Sequence, residues 1–304
     1  MKSLVIGDVH EKIRWIEDVI KRESPDEVIF LGDYFDSFIT TPQTVKDTCE
    51  WLVYSLKQKN RIHLLGNHEQ YYRWPLVKKF VCSGNTQDKQ QLISSILKFE
   101  HWDKIKLFHF SQGYLFSHAG VSERLFAHPV QGLTLDIIRE ECEKAITTAQ
   151  SGGARPALQA GWSRGGSERD GGITWLDFSC EAMPVVGFHQ IVGHTPVNSP
   201  TSGDIVKYVP NKKNPTGTIR TVDFKGRFYT IIKDGVISYQ STGCEGYNER
   251  EHKLVGEPFI DTRKIIEHQT RKIVCSVCES EKVGGYIGYE NGDKTYFCNE
   301  HLPL

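Results

Sequence analysis

IHLLGNHE, residues 62–69, runs from an apolar stretch into an amide, an imidazole and a carboxylate. Taken alone, Ile62-His63-Leu64-Leu65 reads as a buried strand, and Gly66-Asn67 as the turn a strand favours on backbone grounds. Repetition gives the tetrapeptide its meaning. Leu4-Val5-Ile6 leads into Gly7-Asp8-Val9-His10, and Val28-Ile29-Phe30-Leu31 into Gly32-Asp33-Tyr34-Phe35-Asp36. Tyr114-Leu115-Phe116 leads into Ser117-His118-Ala119-Gly120, and Gln190-Ile191-Val192 into Gly193-His194-Thr195-Pro196. Five strands end in the same kind of polar residue.

Helical patterns separate the first strands. One spans residues 11–23, and a second starts at Thr41-Pro42, with Thr as N-cap and Pro at the first helical position. This β-α-β-α-β alternation predicts an α/β layered fold with a largely parallel beginning. Further helices are expected over 87–102 and 134–149. The Gly- and Arg-rich stretch 151–172 reads as a long loop of the kind that covers a functional site. A Pro-, Lys- and Asn-rich loop (197–217) precedes GTIRTVDF and GRFYTIIKDGVISYQS, which read as antiparallel strands.

In an α/β sheet, residues just past the strands' carboxyl ends line one crevice where ligands bind. A glycine before the polar residue, at four of the five strand ends, lets the backbone turn tightly and approach whatever is held there. Converging Asp, His and Asn side chains make an oxygen-plus-imidazole ligand set, suited to Mn, Fe or Zn rather than Ca. Seven such groups exceed the needs of one ion, so two divalent metals bridged by a shared carboxylate are expected.

GDVH, GDYFD, GNHE, SHAG and GHTP, in that order, resemble the calcineurin-like metallophosphoesterases. The branch they resemble contains serine/threonine protein phosphatases, phage and bacterial protein phosphatases, and symmetric diadenosine tetraphosphatases. The resemblance spans about residues 1–240 and implies a layered metallophosphoesterase β-sandwich with flanking helices. It implies that Asp8, His10 and Asp33 hold one metal, and that Asp33 bridges to a second held by Asn67, His118 and His194. It makes His68 the general acid toward the leaving oxygen, oriented by Asp36, with attack by a hydroxide bridging the metals. Glu69 is left to support the loop or cap the next helix. Two positions depart from the family pattern. Glu11 stands where the protein phosphatases have Gly, and Ser37 where they have the Arg that clamps phosphate. Arg73, Arg155, Arg164 and Arg169 are candidate replacements, and Ser cannot supply their charge. Trp162-Ser163-Arg164 looks like a W-x-R element of the phage phosphatases, although Trp175-Leu176-Asp177 competes for that alignment.

The resemblance implies a phosphatase acting on phosphomonoesters of a phosphorylated protein or a small nucleotide. The alternatives are a nucleotide pyrophosphatase (diadenosine tetraphosphatase-like) or cyclic phosphodiesterase, which the loss of the clamp favours, and a non-catalytic scaffold. The chain has 304 residues, which allows one large domain plus an appendage. Its formal net charge of −1 gives no global field to recruit nucleic acid or an anionic membrane. No apolar stretch reaches the roughly 20 residues that span a bilayer, and Asp8 interrupts the N-terminal apolar run too early for a signal peptide. A cytoplasmic location is therefore expected. Cys49, Cys82, Cys142, Cys180 and Cys244 stand singly and read as small buried hydrophobes.

The catalytic domain is expected over 1–248 and a C-terminal extension over 249–304. Within it, Cys275 and Cys278, then Cys298 and His301, form two pairs at two-residue spacing around a hairpin-like segment. That is the signature of one structural zinc in a small module spanning 275–301, resembling a zinc ribbon or treble clef. The extension holds 8 Lys+Arg against 10 Asp+Glu, a poor match for a phosphate backbone. Docking on the catalytic domain or on a protein partner is the expected use.

Overall fold

The computed structural model describes residues 1–243, except 38, 123–132, 183–184, 186, 202–204 and 209–216, and beyond 243 the backbone of four strands. By its internal contacts the chain divides into two units, Met1–Gly243 and Cys244–Leu304.

The first unit holds two five-stranded mixed sheets. In the first, β1 (Lys2–Ile6), β2 (Glu27–Phe30) and β3 (Arg61–His63) are parallel. On its other edge β1 pairs antiparallel with β9 (Phe228–Lys233), which turns at Asp234-Gly235 into β10 (Val236–Ser241). The second runs β4 (Phe108–Ser111), β5 (Tyr114–Ser117), β6 (His189–Val192), β8 (Thr218–Thr221), β7 (Val206–Tyr208). There β5, β6 and β8 are parallel.

The period of two in a strand explains how the sheets stack. Val5, Ile29, Leu31 and Leu64 point to one side of the first sheet and meet Phe116, Ile191, Val222 and Phe224. Leu4, Ile6, Val28 and Phe30 point to the other side, against Ile16, Val19, Val45, Cys49 and Leu52 of α1 (Ile16–Glu23) and α2 (Pro42–Ser55). Both faces of β1 and β2 are therefore apolar, as strands of a covered parallel sheet require. The result is a β-sandwich with flanking helices.

Several expectations shift. α1 begins at Ile16 rather than residue 11, because the preceding chain is bent: Glu11 has φ 63° and Lys12 N–H donates to Val9 O. Thr41 caps α2 as its sequence predicts, accepting from Thr44 N–H at 3.1 Å. The helix expected over 87–102 breaks at Leu97, whose extended backbone buries the side chain, into α4 (Gln87–Ile96) and α5 (Phe99–Trp102). α6 (Leu135–Gln150) starts one residue after its Thr134 cap. GTIRTVDF does not pair with GRFYTIIKDGVISYQS: β8 joins the second sheet, while β9 and β10 complete the first. β7 is an edge strand inside what reads as a loop. Cys49, Cys82 and Cys142 are buried, but Cys180 is exposed; Cys244 lies outside the described residues.

In the second unit, β11 (Lys272–Val274) pairs antiparallel with β12 (Glu281–Val283), and β13 (Tyr286–Glu290) with β14 (Asp293–Phe297). The four expected zinc ligands, Cys275, Cys278, Cys298 and His301, lie outside the described residues.

Candidate active site

The carboxyl ends of β1, β2, β3, β5, β6 and β8 deliver Asp8 and His10, Asp33, Asn67, His118, His194 and Asp223 respectively. Reaching one point from so many strand ends bends the backbone. His10, Asp33, Asp36 and His194 have φ of 42°, 50°, 65° and 63°, a left-handed conformation that non-glycine residues seldom adopt. Gly32, at φ 110°, lets the chain pass so close to the next strand end that a Cβ would lie 2.5 Å from Gly66 N.

Glu69 holds that geometry. Its Oε2 accepts from Asp33 N–H at 2.8 Å and Gly66 N–H at 3.0 Å, and its Oε1 from Tyr34 N–H at 2.7 Å and Phe35 N–H at 3.3 Å. One fully buried carboxylate therefore ties the loop after β2 to the start of α3 (Asn67–Arg73). Glu69 both supports the loop and caps the helix.

Two sets of ligand atoms each lie within 4.8 Å of one another: His10, Asp33 and His68, and Asp33, His118 and His194. Asp33 belongs to both. His10 Nδ1 donates to Phe35 O at 2.8 Å, and His118 Nδ1 to Leu31 O at 2.8 Å, which leaves each Nε2 facing the cluster. His118 Nε2 lies 3.0 Å from Asn67 Oδ1 and 3.4 Å from Asp33 Oδ2. Asp8 Oδ1 accepts from His194 N–H at 2.9 Å. Buried Cys82 steadies Asn67 from behind, its thiol donating to Asn67 O at 3.3 Å.

The charges show what this cluster fits. Burial and the neighbouring carboxylates Asp223 and Asp33 push Asp8 well above the usual range, although His118 opposes them. Burial alone would raise Asp33, yet His118 and His68 hold it well below that range. His194 is driven well down, by burial and then by His118, and its Nε2 is a buried nitrogen without a hydrogen-bond partner. Burial lowers His10 to about 4 against the pull of Asp33. Crowded carboxylates, the imidazoles of His10 and His194 driven toward the neutral form, and an orphaned buried nitrogen are what a divalent cation relieves. Burial would lower His118 too, but Asp33 and Asp8 pull its imidazole up to about 10. The donor set fits divalent cations, with Asp33 common to both ligand groups.

His68 stands at the edge of the cluster, its Nδ1 3.0 Å from Asp36 Oδ2. The Asp36 oxygen accepts there, so Nδ1 carries a proton, and Nε2 is turned toward the cluster. Burial would lower this imidazole, but Asp33 and Asp36 raise it to about 9.

The arginines divide. Arg73 is half-buried, donates to Ile105 O at 3.0 Å and lies over the Trp74 ring at 4.7 Å, and among the described residues it makes no hydrogen bond to the cluster. Arg155 pairs with Glu141 at 3.0 Å. Arg164 Nε meets Asp177 Oδ2 at 2.7 Å, and its Nη2 donates to Thr195, next to His194, at 3.3 Å. Trp175 lies edge-on against His194 with ring centroids 5.7 Å apart. The competing stretches WSR and WLD thus meet beside His194. Ser37 Oγ accepts from Ile39 N–H at 3.3 Å, a bond within its own loop.

Four nearby residues escape sequence reasoning. Asp223 ends a strand as the motif residues do, but no glycine announces it. Tyr72, Asn85 and Lys89 surround Asp36 from outside every motif, and nothing in their local pattern separates them from solvated polar residues.

A family model described as calcineurin-like phosphoesterase matches residues 1–207. No curated protein matches the chain. Among solved structures, a metallophosphoesterase from Sphaerobacter thermophilus is 14% identical, covering 79% of this chain and 87% of its own, with a TM-score of 0.36. A protein serine/threonine phosphatase from Saccharomyces cerevisiae, described as similar to human phosphatase PP5, is 14% identical over 73% of this chain and 54% of its own, at 0.33. Yfce, a phosphoesterase from E. coli, is 8% identical over 84% of this chain and 97% of its own, also at 0.33.

Proposed function

The chain belongs to the calcineurin-like phosphoesterase family, and from that premise we propose a dinuclear metal-dependent phosphatase that hydrolyses phosphomonoesters. Its substrates would be a phosphorylated protein or a small nucleotide. The observation that carries the two-metal reading is Asp33, whose carboxylate lies in both ligand sets. Asp8, His10 and Asp33 would hold one ion, and Asp33, Asn67, His118 and His194 the other. Ions bound there would polarise the phosphoryl oxygens and offset the charge that gathers on them.

The chain's own residues would do the rest. His68 would deliver the proton on Nε2 to the departing oxygen, with Nδ1 fixed on Asp36. Arg164 would steady the phosphate from the side of His194, since its Nη1 makes no hydrogen bond among the described residues. A diesterase reading, nucleotide pyrophosphatase or cyclic phosphodiesterase, is favoured by Ser37, because a diester carries less charge for a clamp to meet.

Rates on p-nitrophenyl phosphate and its bis ester, measured with metal content, test this choice. A monoesterase prefers the first, a diesterase the second, and a scaffold turns over neither. Arg164→Ala should lower kcat/KM for monoesters by about 1.5–3 kcal/mol, the range for charge-assisted hydrogen bonds. Unchanged kinetics would remove Arg164 from the site. Among the described residues no helix is long and apolar enough to cross a membrane. We place the protein in the cytoplasm, and assign its second unit one structural zinc on Cys275, Cys278, Cys298 and His301 and a docking role toward a protein partner.

A further inference from the structure

We propose that Lys89, with Asn85 and Tyr72, positions His68 by gripping Asp36 from outside the strand-end motifs. This rests on reading His68 as the proton donor. The Asp36 side chain is fully buried and carries four donors on two oxygens. Oδ2 accepts from His68 Nδ1 at 3.0 Å and from Asn85 Nδ2 at 2.6 Å. Oδ1 accepts from the Tyr72 hydroxyl at 2.6 Å and from the Lys89 ammonium at 3.0 Å. A carboxylate held by one imidazole can rotate about its Cβ–Cγ bond and take the ring with it. Donors on both oxygens fix the carboxylate plane, and so the direction of the Nδ1–H bond and of Nε2 beyond it.

Local structure delivers the grip. Thr86 caps α4 by accepting from Lys89 N–H at 3.3 Å, which fixes the helical turn that carries Lys89 inward. The preceding turn packs against Asp36 so closely that a Cβ on Gly84 would lie 2.9 Å from Asp36 Cβ. Lys89 is buried, although its neighbours Gln87 and Asp88 are exposed. A buried ammonium is costly unless its partner is well placed, and here the partner is the carboxylate that orients His68. Glu11 and Asp36 both lie within electrostatic reach of that ammonium. Removing Lys89 would take a positive charge from beside Asp36 and leave Oδ1 with the Tyr72 hydroxyl alone, so the carboxylate plane, and with it the imidazole, would lose its fixed direction.

The test uses Lys89→Met and Asn85→Ala, each alone and combined with His68→Asn, on the metal-loaded full chain. Phenyl phosphate needs its leaving oxygen protonated, whereas 2,4-dinitrophenyl phosphate does not. Lys89→Met should lower kcat on phenyl phosphate by about 10-fold, a fraction of the ~10²- to 10⁴-fold worth of a positioned acid. On the dinitrophenyl ester the change should stay below about 2-fold, with KM unaltered. On the His68→Asn background neither substitution should cost anything further, and metal content should hold throughout. Independently of turnover, the low-field proton resonance of His68 Nδ1–H should shift or broaden in Lys89→Met. Equal losses on both esters, or the same loss on the His68→Asn background, would overturn the proposal. If Lys89→Met does not fold, Asn85→Ala, which leaves the ion pair in place, carries the same expectations and the same refutation. Should His68→Asn itself lose equally on both esters, the acid assignment fails. The resonance then decides the positioning alone, and an unchanged signal in Lys89→Met overturns it.

Discussion

Glu69 shows how much one side chain can decide. Its two oxygens each accept two backbone N–H groups, from Asp33, Tyr34 and Phe35 in one loop and from Gly66 in the next. Glu69→Gln places an amide N–H₂ against two of those donors whichever way the amide turns. The cost should be about 2–4 kcal/mol, the penalty for buried donors left unpaired, with loss of metal because the loop after β2 relaxes. Denaturant unfolding and metal analysis on the purified variant check both, and a variant of full stability with both metals would refute the role. The motif residues were legible because each is a strand end marked by a small residue, and chemistry accounts for the polar type that follows. Asp223 was hidden for want of that mark, and Lys89 because its partner is 53 residues distant. A polar helix position does not reveal in one dimension that it faces a buried carboxylate.

At the scale of elements, His63 couples β3 to its neighbours through three contacts. Its ring stacks on Phe30 with centroids 4.5 Å apart, Nε2 meets Ser55 Oγ of α2 at 2.9 Å, and Nδ1 meets the Tyr34 hydroxyl at 3.0 Å. Burial, then the charge of Arg61, lowers its pKa from the ordinary 6.5 to about 3. Between those values the unfolded chain binds a proton that the folded chain refuses. Stability from this group is therefore complete above pH 6.5 and declines as pH falls toward about 3, by at most about 1.4 kcal/mol per pH unit. His63→Gln should show a shallower decline between pH 6.5 and 4.5 in urea unfolding, and equal slopes would contradict a buried neutral His63. Element types were legible from period and caps; partners were not. β8 and the β9–β10 segment both read as antiparallel strands, yet β8 joins the second sheet, parallel to β6, while β9 and β10 join the first. Register and sheet membership depend on which faces remain to be covered, and local pattern does not carry that.

For the whole molecule, two sheets stack so that six strand ends meet along one rim, and the cluster of Asp, His and Asn is the product of that topology. The second unit is a separate question. β11 ends immediately before Cys275 and β14 immediately before Cys298, so each expected ligand pair follows a strand. Truncation after residue 248 should remove one zinc per chain while small phosphoesters are hydrolysed within about 3-fold of the full-length rate, as expected for a closed four-ligand site with no position for substrate. Equal zinc in both proteins would mean the pairs are not a site. A truncated enzyme that folds, binds two metals and yet has no turnover would give the second unit a part in catalysis. The central claim, two ions sharing Asp33, has a direct measurement: titration calorimetry with Mn²⁺ on the purified chain and on Asp33→Asn. Two bound ions per active site in the parent, and loss of both in the variant, are expected. A single ion in the parent, or two ions retained in Asp33→Asn, would contradict it.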